Sequence, residues 1–289
     1  MKNITLIITV AFALMLTGCD GNGKNGNGKN EKEKEQTEEK PAGPSEPVPL
    51  NISIYLDLSD RITRDLTPSQ MERDAAIIDT IIGMFSKKCV DDKIISTKHH
   101  IKVVFHPSPD NKDIDDWAKD MEVDMAKLEA PEKKEALTKM KGKFGNALTN
   151  IYKETIDKKN WVGSDIWGFF SDKKVDDLCM REGYRNILVI LTDGYLYDVN
   201  NMQKEGNAYS YVLPQTLAVD GSSLICRRKG LGDLEVLILE VNPYNREDRD
   251  KMLPVLGDWL TNMEVGKYKI VETDLPNNTA VYIDNFFKE

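Results

Sequence analysis

The chain has 289 residues, of which 40% are hydrophobic and 30% charged, so it can form a full core in one or two domains. Its formal net charge is -9, and this acidity belongs to the folded part, because the lysines and glutamates near the amino terminus largely cancel. An acidic surface repels phosphate backbones and anionic lipid headgroups, so nucleic acid is not expected as a partner.

Residues 1–18 have the pattern of a bacterial leader. A short positive start precedes an apolar run, residues 4–17, that is too short to span a bilayer. The sequence Leu-Thr-Gly-Cys that ends at Cys19 resembles the lipobox of bacterial lipoproteins, which implies cleavage before Cys19 and lipidation of its thiol. An uncleaved anchor or an ordinary signal peptide is the alternative. Lipidation would hold the protein at a membrane of the cell envelope, with the outer membrane favoured and the domain in the periplasm or at the cell surface.

Residues 19–49 have a different composition. A Gly/Asn/Lys repeat at 21–30 is followed by a charged run at 31–40 and then by four prolines. Such a segment cannot build a core, so we predict a disordered tether between the lipid and the folded part.

Residues 50–289 alternate the patterns of strands and helices. Apolar runs predict strands at 52–56, 101–105, 186–191, 234–241 and 268–272. Helical spacing predicts helices at 69–88, 110–143, 147–158, 175–181, 245–263 and 279–287. Strands separated by helices pair in parallel through right-handed crossovers. We therefore predict one doubly wound α/β domain, with a mostly parallel sheet and helices on both faces.

Two of the predicted strands run into oxygen-bearing or charged side chains. These are Asp57, Ser59, Asp60 and Arg61 after the first strand, and Thr192 and Asp193 after the strand at 186–191. In open α/β sheets the ligand crevice lies outside the carboxyl ends of the strands. If the two strands are neighbours, Asp57, Ser59 and Asp193 converge on one point.

These two strand ends and the order of the helices between them resemble a von Willebrand factor type A domain. In that family an Asp-x-Ser-x-Ser motif, a Thr from a middle loop and a later Asp form the metal-ion-dependent adhesion site, and an acidic residue of the partner completes it. The resemblance implies that Asp57, Ser59 and Asp193 are metal ligands. Magnesium is the expected ion, with manganese and calcium as further candidates, because these cations take oxygen ligands.

The sequence departs from the family at two ligand positions. Arg61 stands where the family has Ser, and a guanidinium cannot ligate a cation. The middle Thr is missing in register, and Asn146, in the loop predicted before the helix at 147–158, is the substitute oxygen donor. Two alternatives follow for Arg61. It pairs with Asp60 and leaves the cation site intact, or it enters the crevice, takes the place of the cation and makes the face a receptor for carboxylates.

Two long segments, 110–143 and 195–232, are predicted to be insertions on the face that carries this site. The second contains four tyrosines, of which Tyr195 and Tyr197 lie nearest to Asp193, and tyrosine offers a large contact area at low entropic cost. The alternative is that these tyrosines pin the loop onto its own domain.

The favoured interpretation is a membrane-anchored lipoprotein that binds a protein or peptide, with Asp60, Arg61, Thr192, Tyr195 and Tyr197 beside the metal ligands. One alternative is a metal-dependent hydrolase of phosphate esters, for which the sequence offers no catalytic nucleophile or base. Another is a structural domain whose metal site has decayed. We interpret Cys89, Cys179 and Cys226 as core residues, with a disulfide between Cys179 and Cys226 left open.

Overall fold

The computed structural model describes residues 47–159, 161, 163–195, 202–205, 208–211 and 228–288. They belong to one compact unit, Glu46–Glu289. At its centre is a six-stranded sheet with the strand order β3-β2-β1-β4-β7-β8. The strands are β1 (Leu50–Leu56), β2 (His100–Val104), β3 (Glu122–Asp124), β4 (Arg185–Leu191), β7 (Leu234–Val241) and β8 (Lys267–Glu272), and a separate hairpin is formed by β5 (Met202–Glu205) and β6 (Ala208–Tyr211).

Helices cover both faces of the sheet. They are α1 (Gln70–Asp91), α2 (Lys112–Asp120), α3 (Ala130–Lys158), α4 (Ile166–Ser171), α5 (Lys174–Cys179), α6 (Arg246–Asn262) and α7 (Pro276–Lys288). Apolar residues of α1, α2, α3 and α7 form one core with one face of the sheet, and those of α4, α5 and α6 form a second core with the other face. The predicted doubly wound α/β sandwich is therefore confirmed.

The sheet is parallel except at one edge. β1 pairs in parallel with β2 and β4, β4 with β7, and β7 with β8, whereas β3 pairs antiparallel with β2. Every residue of β1 is buried, as expected for a strand covered on both faces. The carboxyl ends of β1, β4 and β7 consequently meet at the same edge of the sheet.

The segment 110–143 differs from the predicted run of helix. It contains α2, then the antiparallel edge strand β3, and only then the start of α3. The predicted loop around Asn146 is also absent, since α3 is a single helix of 29 residues. The helix is continuous because Met140, Phe144, Leu148 and neighbouring apolar residues form one buried stripe at helical spacing.

The remaining elements follow the predictions closely. A short helix that the sequence patterns above do not include, α4, lies before α5, and α6 continues through Pro254 as one helix. Within the predicted insertion at 195–232, the structure places the β5–β6 hairpin. Cys89 and Cys179 are free and buried. The leader, Cys19, the tether up to residue 46, Tyr197 and Cys226 lie outside the described residues.

None of the helices in the described ranges combines the length and the apolar composition needed to cross a membrane.

Candidate functional site

The carboxyl ends of β1 and β4 meet at a topological switch point. The chain builds the sheet from β1 toward β3 on one side and from β4 toward β8 on the other, so the strand order reverses between β1 and β4. In open α/β sheets the crevice at such a point is the usual ligand site. Asp57, Ser59, Thr192 and Asp193 all lie just beyond the ends of these two strands.

Asp57 is fully buried, and both of its carboxylate oxygens accept hydrogen bonds. Oδ1 accepts from the backbone N–H of Ser59 at 2.8 Å, which forms a tight turn after the strand. Oδ2 accepts from the hydroxyl of Thr192 at 2.7 Å, so the end of β4 is tied to the end of β1. The Thr192 hydroxyl accepts in turn from the backbone N–H of Gly194 at 3.1 Å.

Arg61 lies inside the crevice, with only 1% of the residue exposed. Its Nε donates to the backbone carbonyl of Asp57 at 3.1 Å and lies 3.8 Å from Asp57 Oδ2. Its Nη2 donates to Asp74 Oδ2 at 2.8 Å, whereas Nη1 is buried and makes no hydrogen bond within the described part of the chain. Asp60 is exposed, and its backbone carbonyl accepts from the hydroxyl of Thr63. Arg61 therefore enters the crevice instead of folding back onto Asp60.

Asp74 of α1 is the second carboxylate that contacts Arg61. Its Oδ1 accepts from Gln70 Nε2 at 2.9 Å, and its Oδ2 also accepts from the hydroxyl of Tyr152. Burial, and then the charge of Asp74, raise the pKa of Tyr152 well above its ordinary value, so the phenol remains a donor. The sequence prediction missed Asp74, although a signal is present: a carboxylate four residues before Ile78 lies on the apolar stripe of the helix.

Asp193 is buried beside Asp57 and faces a second arginine. Its Oδ1 accepts from the backbone N–H of Tyr195 at 3.1 Å, and Arg64 Nη1 lies 3.7 Å from its Oδ2. Burial, and then the charge of Asp57, raise the pKa of Asp193 to about 7. Two buried carboxylates so close together need a compensating cation for both to be charged.

A partly buried cluster with one exposed tyrosine lies beside Asp193. We call it the Tyr244 face, and it consists of Arg64, Asp193, Tyr195, Tyr244 and Asp248. The guanidinium carbon of Arg64 lies 4.0 Å from the centroid of the Tyr244 ring, and the two tyrosine rings are 5.2 Å apart. The hydroxyl of Tyr195 donates to Asp248 Oδ2 at 2.8 Å and accepts from the backbone N–H of Tyr244 at 2.9 Å. Tyr195 thus holds the backbone of Tyr244 in place, and the side chain of Tyr244 is exposed to solvent.

A further buried ion pair extends the network toward α7. Arg73 Nε donates to Glu240 Oε2 at 2.7 Å, and Arg73 Nη2 donates to the carbonyl of Asp274. The charges at this edge of the sheet therefore include three guanidinium groups and four carboxylates. They are Arg61, Arg64 and Arg73, and Asp57, Asp74, Asp193 and Glu240.

This donor set does not fit a divalent cation bound at Asp57. A cation there would lie close to the buried guanidinium of Arg61, where little water screens their repulsion. Within the described ranges, no group of three or more His, Cys, Asp or Glu side chains has the arrangement of a metal site. The magnesium site and its manganese or calcium variants stay predictions.

Asn146 does not join the other predicted ligands. It lies in the interior of α3 with its side chain exposed. Tyr152, which reaches the crevice from the same helix, is six residues later, and this spacing places the two side chains roughly 120° apart around the helix axis. The structure thus places Asp57, Ser59 and Asp193 just beyond two neighbouring strand ends, and leaves Asn146 on another side of α3.

Comparisons with known proteins give two distant structural likenesses. No family model and no curated protein sequence matches the chain. A pilus adhesin, SpaC from Lactobacillus rhamnosus GG in its open conformation, is 14% identical with a TM-score of 0.39, and the match covers 84% of this chain but only 30% of the adhesin. A conserved hypothetical protein, BatB from Bacteroides thetaiotaomicron, is 14% identical with a TM-score of 0.35, and the match covers 83% of this chain and 100% of BatB.

Proposed function

We propose that this chain is a protein- or peptide-binding module of the von Willebrand factor type A kind, held at an envelope membrane by a lipid on Cys19. The partner is bound at the Tyr244 face, beside the switch point of the sheet. The observation that carries this proposal is the exposure of Tyr244, at 65%, beside Arg64 and Tyr195, which hold it in place.

The contacts around Tyr244 favour binding because they hold the side chain in place before a partner arrives. Arg64 stacks on its ring, and the hydroxyl of Tyr195 accepts a hydrogen bond from its backbone. Tyrosine and arginine are enriched among the residues that dominate interface energies, and a preorganised aromatic side chain loses little entropy on binding. The exposed ring is therefore an anchor for a partner with an apolar or aromatic side chain.

Photocrosslinking in cells tests this proposal. A photoreactive phenylalanine derivative replaces Tyr244 in one version of the chain, and in a matched control it replaces Tyr282, a partly exposed tyrosine on α7. We expect a specific crosslinked partner from position 244 and none of the same mass from position 282. Mass spectrometry then identifies the partner, which can be purified for binding measurements.

Binding of that partner should depend on the Tyr244 ring. We expect Tyr244→Ala to weaken the affinity by roughly tenfold or more, as for a central anchor residue, and Tyr282→Ala to leave it nearly unchanged. Equal crosslinking from both positions, or an unchanged affinity of Tyr244→Ala, would show that the partner binds elsewhere.

A further inference from the structure

Arg61 joins two buried carboxylates that belong to different elements of the fold. It follows β1 by a few residues, and its guanidinium lies between Asp57 at the end of that strand and Asp74 on α1. The two contacts are 3.8 Å and 2.8 Å long, and all three side chains are at most 1% exposed. A cation at this point therefore holds the end of the central strand against the helix that covers it.

The charge of Arg61 is permanent under these conditions. Burial alone lowers the pKa of the guanidinium, but the charges of Asp74 and Asp57 and the hydrogen bond to Asp74 outweigh that effect and raise it above its ordinary value. Buried carboxylates without a cation would be strongly unfavourable, because desolvation penalises the ionised form. Arg61 offsets part of that penalty for both Asp57 and Asp74.

Without the guanidinium of Arg61, the oxygens around its position would suit a small divalent cation. Asp57 and Ser59 follow β1 and Asp193 follows the neighbouring strand β4, so all three lie at the switch point, and hard cations prefer the oxygen donors that these side chains carry. The guanidinium of Arg61 lies 3.8 Å from the Asp57 carboxylate. Arg61 and a metal ion would therefore compete for the same position beside Asp57.

We propose that Arg61 is the resident cation of this crevice. It fulfils the structural role of a divalent metal ion, so the wild-type domain neither needs nor binds one at Asp57. Replacing the guanidinium by a hydroxyl would open the crevice to magnesium or manganese and make the stability of the domain depend on the metal.

Thermal unfolding of the purified chain from Asp20 to Glu289 tests this inference without any partner, so its outcome is separate from that of the Tyr244 experiments. The melting temperature is measured in chelator, in saturating magnesium and in saturating manganese. We expect no metal-dependent change for the wild type. For Arg61→Ser we expect a lower melting temperature in chelator and a recovery of roughly 5 °C with metal, the size expected for a ligand well above its dissociation constant.

Two further variants assign the effect to the crevice. The double variant Asp57→Asn/Arg61→Ser lacks the ligand carboxylate and should show no recovery with metal. Arg61→Lys keeps a positive charge and should remain insensitive to metal, although it loses the planar contact with two carboxylates. A recovery in the double variant as large as in Arg61→Ser would contradict the inference.

Calorimetric titration of manganese into the wild type covers the case in which Arg61→Ser does not fold. Absence of binding heat supports Arg61 as the resident cation. Binding heat in the wild type that disappears in Asp57→Asn would overturn the inference, because metal and guanidinium would then occupy the crevice together.

Discussion

Asp74 shows how one buried carboxylate can be fully satisfied by side chains. Gln70 donates to its Oδ1, and Arg61 and Tyr152 donate to its Oδ2, so residues of three different segments meet at one carboxylate. The same network reaches the end of β7, because Gln70 Nε2 also lies 3.4 Å from Glu240 Oε2. Loss of any of these three donors would leave the buried Asp74 carboxylate with charge that neither a side chain nor water compensates.

We expect Tyr152→Phe to destabilise the domain by about 2 kcal/mol, the usual range for a buried hydrogen bond to a charged acceptor. The ring and its packing in the core are kept, so the change isolates the hydroxyl that donates to Asp74. Urea denaturation followed by circular dichroism measures the free energy of unfolding. Tyr282→Phe is the control, since its ring is partly exposed, and it should change this free energy by less than about 0.5 kcal/mol. Equal effects of the two substitutions would rule out a strong bond to Asp74.

His99 lies at the amino end of β1, across the sheet from the candidate site. It should make the free energy of unfolding of the domain depend on pH. Its Nδ1 accepts from the backbone N–H of Leu50 at 2.8 Å, so this nitrogen must be unprotonated, and its Nε2 lies 3.1 Å from Asp92 Oδ2. Burial lowers the pKa of His99 below its ordinary value. The charge of Asp92 opposes this effect, and the charge of Lys88 adds to it. In the pH range between the folded and unfolded pKa values, the unfolded chain binds more protons.

The contribution of His99 to the free energy of unfolding should therefore be highest above the ordinary histidine pKa and should fall as the pH is lowered from about 7.5 to about 5.5. Asp193, with its pKa raised to about 7, contributes a slope of the opposite sign in this range. Denaturation curves across this range measure the slope. His99→Asn should reduce the slope, because the asparagine side chain can accept from Leu50 N–H but does not titrate. His100 is also buried with a lowered pKa, so part of the slope should remain. A slope that His99→Asn leaves unchanged would assign the whole effect to other groups.

At the scale of elements, α3 ends in a conformation that a lysine disfavours. Lys159 has a φ of +50° in the left-handed region, and its backbone N–H donates to the carbonyl of Ile156 at 3.1 Å. Glycine is the preferred residue at such a helix end, because it has no Cβ to clash with the backbone.

Lys159→Gly is expected to raise the free energy of unfolding by about 0.5–1 kcal/mol. Glycine relieves the strain of the left-handed backbone in the folded state, and this gain exceeds the loss from the greater entropy of its unfolded chain. The matched control is Lys153→Gly, an exposed position in the interior of the same helix, which should lower the free energy by about 1 kcal/mol. Both values come from urea denaturation. Destabilisation by Lys159→Gly would mean that the lysine side chain contributes more than its backbone costs.

The strands that are buried on both faces are the ones that the sequence predicts best. β1, β4 and β7 were predicted to within two residues, because strands covered on both faces are continuous apolar runs. β3 was missed because three residues with two acids carry no such pattern. The break predicted in α3 was wrong because Gly142, Gly145 and Asn146 suggest a loop, and the buried stripe that overrides them is visible only across the whole helix.

The site was predicted in part for the same reason. Asp57 and Asp193 end apolar strands, so their place at one edge of the sheet follows from topology alone. The direction of Arg61 was left open, since its partner Asp74 is on another element and no local pattern links the two. Tyr244 is absent from the predicted site residues because its contacts are with Arg64 and Tyr195, which lie far from it in sequence.

At the scale of the whole molecule, membrane attachment through Cys19 is a separate prediction. Cells producing the full chain are labelled with a radioactive fatty acid and extracted with a detergent that separates into two phases. The wild type should be labelled and enter the detergent phase, because each buried methylene of an acyl chain contributes about 0.8 kcal/mol. Cys19→Ser should be unlabelled and aqueous, and Asn22→Ser, a nearby substitution that keeps the cysteine, should behave as the wild type. Retention of Cys19→Ser in the detergent phase would favour an uncleaved anchor.

The position of β1 has a mechanical consequence. The chain enters the unit at the amino end of this central strand, and the Tyr244 face lies at the carboxyl edge of the sheet. Tension between an anchor before residue 47 and a partner on that face would run along β1. Its ladders, over five residues with β2 and seven with β4, would then be loaded in shear, so many hydrogen bonds would have to break at once. We expect the domain to resist pulling along this axis far better than peeling of its edge strand β3.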